Sequence, residues 1–265
     1  MPNTPDRTNA GPVIGLIPAA GYATRLSPLP CSKELYPIGL HPDPDGNGAR
    51  PKVVSHYLLE KMRLAGIEQA YFILRDGKWD IPAYFRDGGS IDMHLGYLLV
   101  TVPYGVPYTL DQAYPFVRHA RVALGFPDIL FSPDDAFATL LAHQAKRGAD
   151  VVLGLFPAGE PSTMDMVAVD TTGAIKQIVI KPRQSDLKHT WGIAVWSPTF
   201  TEFMHSWLRD RSTSDAAKTE LYIGEVIQHG INAGLKVEGI MVSQRPYLDI
   251  GIPENLARAL RSDDY

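Results

Sequence analysis

Residues 13–18, Val-Ile-Gly-Leu-Ile-Pro, form a short apolar run, and the connection after it carries Ala19-Ala20-Gly21 and then two cations, Arg25 and Lys33. An uninterrupted apolar run of this length marks a buried strand. Small residues at its end let backbone N–H groups come close to a bound group, and the two cations supply charge for an anion. In an α/β sheet, a polyphosphate sits at the loop that follows the first strand. The plain alternative is a strand-to-helix turn whose Arg and Lys are merely solvated.

The rest of the composition is compatible with that reading. A chain of 265 residues, 45% hydrophobic and 20% charged, suits one large domain or a domain with an appended lobe. No apolar run is long enough to cross a bilayer. Residues 1–10 are polar, contain Pro2, Pro5 and Asp6, and have no apolar signal-peptide core, so they read as a flexible tail before a single domain over 11–265. Cys31 is the one cysteine, which excludes an internal disulfide and fits a reducing cytoplasm. A net charge of −4 argues against a nucleic-acid binder but allows a nucleotide-binding cleft. The eight histidines show no metal-ligand spacing, and no repeat is evident.

Along the chain, turn formers at 41–48 predict a surface loop. Residues 53–65 have Val54, Leu58, Met62 and Ala65 near helical spacing, with Gly66 as the stop. A strand at 69–74 follows, and strand–helix–strand implies a parallel crossover. A short helix at 79–85 has Pro82 in its early turn. A strand is expected at 93–102, a rigid loop at 103–108, a helix from Leu110 through Val117, and a buried strand at 121–124. Asp128 then lies just past the carboxyl end of that strand, the edge where α/β sheets bind ligands. Its alternative role is a helix cap, although Asp134 and Asp135 are better placed to start the helix 136–146. Strands are expected at 151–156, 167–169 and 174–180, the last two joined by a Thr171-Thr172-Gly173 turn, and again at 191–196. Helices at 198–208 and 220–232 and a strand at 237–242 complete the order. Asp249 follows a strand-like pair and precedes a helix with Pro253 near its start; its alternative is a turn or cap residue.

Arg25, Lys33, Asp128, Asp249 and Lys181 belong together chemically. Two carboxylates meeting across a cleft can hold a hard divalent cation such as Mg²⁺, which bridges phosphate oxygens while lysines neutralise further charge. That is the equipment of phosphoryl or nucleotidyl transfer.

The segment 16–38, with Ala19-Ala20-Gly21-Tyr22-Ala23-Thr24-Arg25-Leu26-Ser27-Pro28 and Ser32-Lys33-Glu34-Leu35-Tyr36-Pro37, resembles the signature of sugar-1-phosphate nucleotidyltransferases. Glucose-1-phosphate thymidylyltransferases and UTP–glucose-1-phosphate uridylyltransferases are the nearest groups. Leu248-Asp249-Ile250-Gly251-Ile252-Pro253-Glu254 is similar to that family's second metal segment; Leu110-Asp111-Gln112-Ala113, 124–128, Lys181-Pro182 and Gly192 match it more weakly. The resemblance covers nearly the whole chain. It implies an α/β, Rossmann-like fold with a central mixed, mostly parallel sheet and a smaller sugar-side lobe. The nucleotide-binding half would be about 11–150 and the sugar-phosphate half about 151–265. It implies Mg²⁺-dependent transfer from a nucleoside triphosphate, UTP or dTTP, to a sugar 1-phosphate. On that reading Arg25 steadies the leaving pyrophosphate and Lys33 stabilises charge at the α-phosphate. Ala19, Ala20, Gly21, Thr24, Thr109 and Gln112 bind the nucleotide, the last two beside the base. Asp128 and Asp249 hold Mg²⁺, Lys181 binds the sugar phosphate, and Gly192 lines its site. No nucleic acid or membrane partner is expected, and a homo-oligomer is left open.

The chain departs from the family pattern at four places. Ala23 replaces a glycine of the phosphate loop. The Arg25–Lys33 spacing is short, which would displace Lys33. The first metal Asp sits in Phe126-Pro127-Asp128. Ile180 stands where a Glu before Lys-Pro contacts sugar hydroxyls, and Ile can make no such hydrogen bond. Two rival functions follow: a non-catalytic nucleotide-binding protein on the same fold, and a cytidylyltransferase acting on a non-sugar phosphate. Tyr97, Tyr104 and Tyr108 read as packing residues more than a base platform. Trp191 reads equally as a pocket or a core residue, Cys31 as a loop filler, and Lys146-Arg147 as a helix-end charge pair.

Overall fold

The computed structural model describes residues 11–43, 46, 48–101, 104–211 and 220–261. The expected flexible tail, Val102 and Pro103 lie outside these residues.

In chain order the elements are β1 (Val13–Pro18), β2 (Pro37–Pro42), β3 (Ala49–Val53), α1 (Val54–Leu64), β4 (Gln69–Leu74), α2 (Asp80–Phe85), β5 (His94–Leu99), α3 (Val106–Asp111), α4 (Tyr114–Val117), β6 (Arg121–Gly125) and β7 (Ile129–Leu130). Then come α5 (Ala136–Arg147), β8 (Val151–Pro157), β9 (Met166–Val169), β10 (Ile175–Val179), β11 (His189–Trp196), α6 (Pro198–Asp210), α7 (Ile223–Asn232), β12 (Val237–Met241), β13 (Leu248–Asp249) and α8 (Pro253–Ala259).

Among the described residues, nine strands make one mixed sheet. β5, β4, β1 and β6 run parallel in that order, and β11 is antiparallel to β6. The far edge of β11 carries β8, with β12 parallel to it, while His189 and Thr190 pair with β9, which continues to β10. The parallel arrangement explains the apolar run of β1. Ile14 and Leu16 enter a core shared with α3, α4, α6 and α7, and Ile17 enters a second core with α1, α2 and α5. A strand covered on both faces is apolar throughout. The helical spacing in α1 has the same cause, since Val54, Leu58 and Met62 are buried. Each such fully buried side chain contributes about 1.5–3 kcal/mol.

The sheet order also locates a crevice. From β1 the chain crosses to β4 and β5 on one side, then returns to β6 on the other. The loops leaving the carboxyl ends of β1 and β6 therefore diverge, which is where α/β sheets bind ligands.

Several local expectations are corrected. The loop predicted at 103–108 is helical from Val106, because Pro107 occupies the first turn, where a missing N–H costs nothing. The helix predicted through Val117 breaks at Gln112–Ala113 into α3 and α4. Of the loop predicted at 41–48, His41 and Pro42 instead belong to β2 and pair antiparallel with Arg50 and Ala49 of β3, while Pro44, Asp45 and Asn47 lie outside the described residues. Asp135 starts α5 without a side-chain capping bond, and Asp134 instead pairs with Lys61. Arg147 pairs with Glu238 at 3.0 Å and is not simply a helix-end charge. Among the described residues no helix is long and apolar enough to cross a membrane.

Candidate active site

The loop after β1 begins as an extension of the sheet. The Ala19 N–H donates to the Ile73 carbonyl at 2.9 Å, and Ala19 and Ala20 are buried. Gly21 is the first residue to reach the surface. Ala23 takes a left-handed backbone with φ 53°, a conformation glycine adopts at lower cost. The loop closes on a 3-10 turn, Lys33–Leu35, whose start is anchored to α2: the Ser32 N–H and Oγ both donate to the Asp80 carboxylate at 2.7 Å.

This anchoring puts Lys33 inside the crevice despite the short spacing from Arg25. Its Nζ lies 2.5 Å from Asp128 Oδ2 and faces Gly21. The neighbouring Glu34 points the opposite way and pairs with Lys78 at 2.5 Å, both nearly fully buried. Burial raises the Glu34 carboxyl and lowers the Lys78 ammonium, each opposed by the partner's charge.

Asp249 reaches Asp128 through a two-stranded ladder. β13 pairs antiparallel with β7, with Leu248 opposite Leu130 and Asp249 opposite Ile129, and the Ile250 N–H donates to the Asp128 carbonyl at 3.0 Å. Leu130, Leu248 and Ile250 are buried together with Val54 and Ala259 beneath this ladder. The Gly251 N–H donates to Asp249 Oδ1 at 2.8 Å, and Arg25 approaches Asp249 Oδ2 at 3.6 Å. A Cβ on Gly251 would stand 2.9 Å from Asp249 Oδ1, 3.1 Å from Arg25 Nη2 and 3.6 Å from Asp128 Oδ2. Both carboxylates and the guanidinium therefore converge on one point that only glycine leaves open.

The two carboxylates titrate in opposite directions. Burial alone would raise Asp128, but the Lys33 ammonium holds it below the usual carboxylate range. Burial, and then the charge of Asp128, push Asp249 above that range. Burial alone would lower Lys33, but Asp128, with Glu34 and Asp249 behind it, holds it above the ordinary lysine value.

Two cavities meet at Lys33. One, of about 450 Å³, lies between the β1 loop and the β4–α2 connection, lined by Gly21, Ala23, Cys31, Lys33, Arg75 and Lys78. The other, of about 280 Å³, holds Lys33, Asp128 and Asp249 at one end and Asp165, Lys181 and Trp191 at the other.

The sequence pattern described as "Nucleotidyl transferase" matches residues 14–264. The chain belongs to the nucleotidyl transferase family. A glucose-1-phosphate thymidylyltransferase from Streptomyces griseus is 25% identical over 237 residues, 86% of this chain and 60% of that protein. The chain thus spans less than two thirds of that relative's length. The fold is shared with a protein assigned as a glucose-1-phosphate thymidylyltransferase from Bacillus anthracis, solved with sucrose, at a TM-score of 0.79 and 18% identity, covering 94% of each chain. A UDP-glucose pyrophosphorylase solved with UDP-glucose superposes with a TM-score of 0.77 at 17% identity, covering 95% of this chain and 98% of that one.

Within this nucleotidyl transferase, the structure brings together Gly21, Arg25, Lys33, Asp128 and Asp249. Thr24 is exposed on the turn beside Arg25. Lys181 sits at the far end of the second cavity with φ 39° and its Nζ 4.1 Å above the Tyr222 ring. Gly192 is the extra residue of a bulge in β11, where the register against β8 shifts between Trp191 and Ile193. A Cβ there would press on the Tyr247 ring at 3.1 Å, so Gly192 shapes the wall from behind. Thr109 is buried with its hydroxyl donating to Gly105 O, and the Gln112 amide reaches back to Tyr108 O at 3.3 Å. Ala19 spends its N–H on the sheet and offers none to a phosphate.

Sequence reasoning missed Lys78, Arg75, Gly251 and Asp165. Lys78 and Arg75 follow the carboxyl end of β4, so the rule that singled out Asp128 applies to them too. Tyr97 stacks on Phe72 in the core, and Cys31 is a half-buried thiol that burial pushes up, as a filler's would be. Among the described residues no three metal-ligating side chains cluster, so the protein itself offers a cation two carboxylates.

Proposed function

We propose that the protein transfers a nucleotidyl group from a nucleoside triphosphate, UTP or dTTP, to a sugar 1-phosphate, releasing pyrophosphate and forming an NDP-sugar. The observation that carries this reading is that the two cavities share Lys33, whose partner Asp128 lines the second cavity together with Asp249. One cavity opens from a cationic loop suited to a polyphosphate; the other ends at a lysine suited to a second phosphate. The thymidylyltransferase relative supports the same reaction.

The sugar-phosphate oxygen attacks the α-phosphorus, and the bond from that phosphorus to the bridging oxygen of pyrophosphate breaks. Lys33 stands at the junction and stabilises charge on the α-phosphate oxygens. Arg25, exposed at the loop's edge, steadies the departing pyrophosphate. Lys181 holds the attacking phosphate. The two carboxylates fit a divalent cation, because their oxygens face the same open point beside Gly251 and form a hard oxygen donor set. Asp128 and Asp249 would hold Mg²⁺, which when bound supplies charge neutralisation to the phosphates. The single Cys31 fits a cytoplasmic location for this chemistry.

Pyrophosphate release across a matrix of nucleoside triphosphates and phosphate acceptors, with Mg²⁺ and with EDTA, tests the reading. A metal-dependent signal on one pair, reduced about 10²–10³-fold in Lys33→Met, is expected. Release from a non-sugar phosphate with CTP would shift the assignment to a cytidylyltransferase. Nucleotide binding without turnover on any pair would leave a binding protein on this fold.

A further inference from the structure

A third cavity, of about 630 Å³, lies at the amino edge of the sheet, at the start of β6, the end of α5 and the start of α6. That volume is typical of small-molecule sites, which span roughly 300–1,000 Å³. β6 carries Arg121 at its first residue and leads to Asp128 past its last, so roughly 15 Å of strand separates this cavity from Lys33 and the acidic pair.

Arg121 is a cation without a counter-charge. Side chains alternate along a strand. Val122 and Leu124 enter the core shared with α6 and α7, and Ala123 enters the core shared with α5. Arg121 therefore shares the α5 face with Ala123. Its N–H donates to the Pro12 carbonyl at 3.0 Å, which fixes its backbone. Its half-buried side chain lines the cavity and has no ion pair or hydrogen bond among the described residues. Nε is shut away from water without a partner, while the two outer nitrogens of the guanidinium are not shut away. Burial lowers Arg121, with no carboxylate opposing the shift. Gln144 lines the same cavity, is 4% exposed, and lacks a partner at both its amide nitrogen and its amide oxygen.

The rest of the lining favours an anion. Lys146 is exposed at the rim and forms no ion pair among the described residues. Arg147 is already committed to Glu238. Asp150 is the one carboxylate of the lining, and both its oxygens are occupied: Oδ2 accepts the Lys236 N–H at 2.9 Å and Oδ1 accepts the Ser197 hydroxyl at 3.4 Å. The first turn of α6 opens at the cavity with Ser197 and Thr199 in the wall and no side-chain cap, and the leading N–H groups of a helix carry partial positive charge. Water can satisfy an amide, but it cannot neutralise a guanidinium. A phosphate does so, since the planar fork of arginine matches two of its oxygens.

We propose that this cavity is a second binding site, separate from the proposed catalytic crevice, for a small phosphate-bearing molecule whose phosphate pairs with Arg121. Its volume leaves room for an organic part beside the phosphate.

Amide NMR of the full chain, titrated with inorganic phosphate and with glycerol 3-phosphate, tests the proposal. At least one of the two should give saturable shifts at residues 119–122, 144–150 and 199–201. Arg121→Met should weaken that binding at least about tenfold, the loss of a charged hydrogen-bonded pair. Lys146→Glu, at an exposed position where folding is not at stake, should weaken it severalfold. Lys33→Met removes the cation of the catalytic crevice and should leave these shifts within twofold. The urea unfolding midpoint of Arg121→Met should equal or exceed that of the parent, because an unpaired half-buried charge is lost. Shifts confined to residues 19–33, shifts that do not saturate with either probe, or parental affinity in both Arg121→Met and Lys146→Glu would overturn it. Failure of pyrophosphate release in the substrate matrix would overturn the proposed reaction and leave this site standing.

Discussion

Gly251 is the residue on which the acidic pair depends most directly. Its N–H holds Asp249 Oδ1, and its missing side chain leaves the point that Asp128, Asp249 and Arg25 all face. Gly251→Ala should lower pyrophosphate release about tenfold or more, since a displacement near 1 Å at reacting groups can cost about 10²-fold. Circular dichroism should show an unchanged fold. Asp165 gives a prediction of the opposite kind. Its carboxyl is raised to about 6, so the fold favours the protonated form. The resulting penalty is absent well below the ordinary carboxylate range and complete above about pH 6. Asp165→Asn should therefore stabilise the protein by up to about 3 kcal/mol at pH 7.5 and hardly at all at pH 4, as urea denaturation at the two values would read. Single residues were legible in the sequence where chemistry is carried by type and position together. Lys33 and Asp128 were found that way. Asp165 was not, because nothing in Met164-Asp165-Met166 distinguishes a buried carboxylate from a surface one.

The element that assembles the site is the β7–β13 ladder. Leu248 is 1% exposed and packs with Leu130, Ile250 and Val54 beneath the two aspartates. Leu248→Ala should cost about 2–4 kcal/mol through the cavity it leaves. Because Asp249 follows directly, turnover should fall by more than the fraction of unfolded protein explains, a difference visible by comparing urea melts with initial rates. Most elements of the sheet and its covering helices could be read in advance, because burial on both faces or on one stripe imposes an apolar period. The β2–β3 hairpin could not. Its strands expose most of their residues, and Pro37, Pro42 and Pro51 lie within them. Without a buried face it has no period to detect.

At the scale of the molecule, the loop after β1, the acidic pair and the second cavity are brought together by strand order. A nucleoside triphosphate bound at this junction should stabilise the fold by mass action. At a concentration of about 100 times Kd the gain is about 2.7 kcal/mol, or roughly 5–10 °C in Tm for a chain this size. The shift should shrink when EDTA removes divalent cations, and a thermal melt with UTP or dTTP would check both. The sequence by itself determined the α/β alternation, the small-residue loop after β1 and the residue types of the proposed catalytic kit, because these are local properties of period and motif. Only the tertiary structure decided which charges meet. Lys33 turns to Asp128 while Glu34 takes Lys78, Asp249 arrives beside Asp128 from the other end of the chain, and Ile180 packs inward while Asp165 faces the cavity. Those outcomes depend on strand register and side-chain direction between distant segments, which no local spacing encodes.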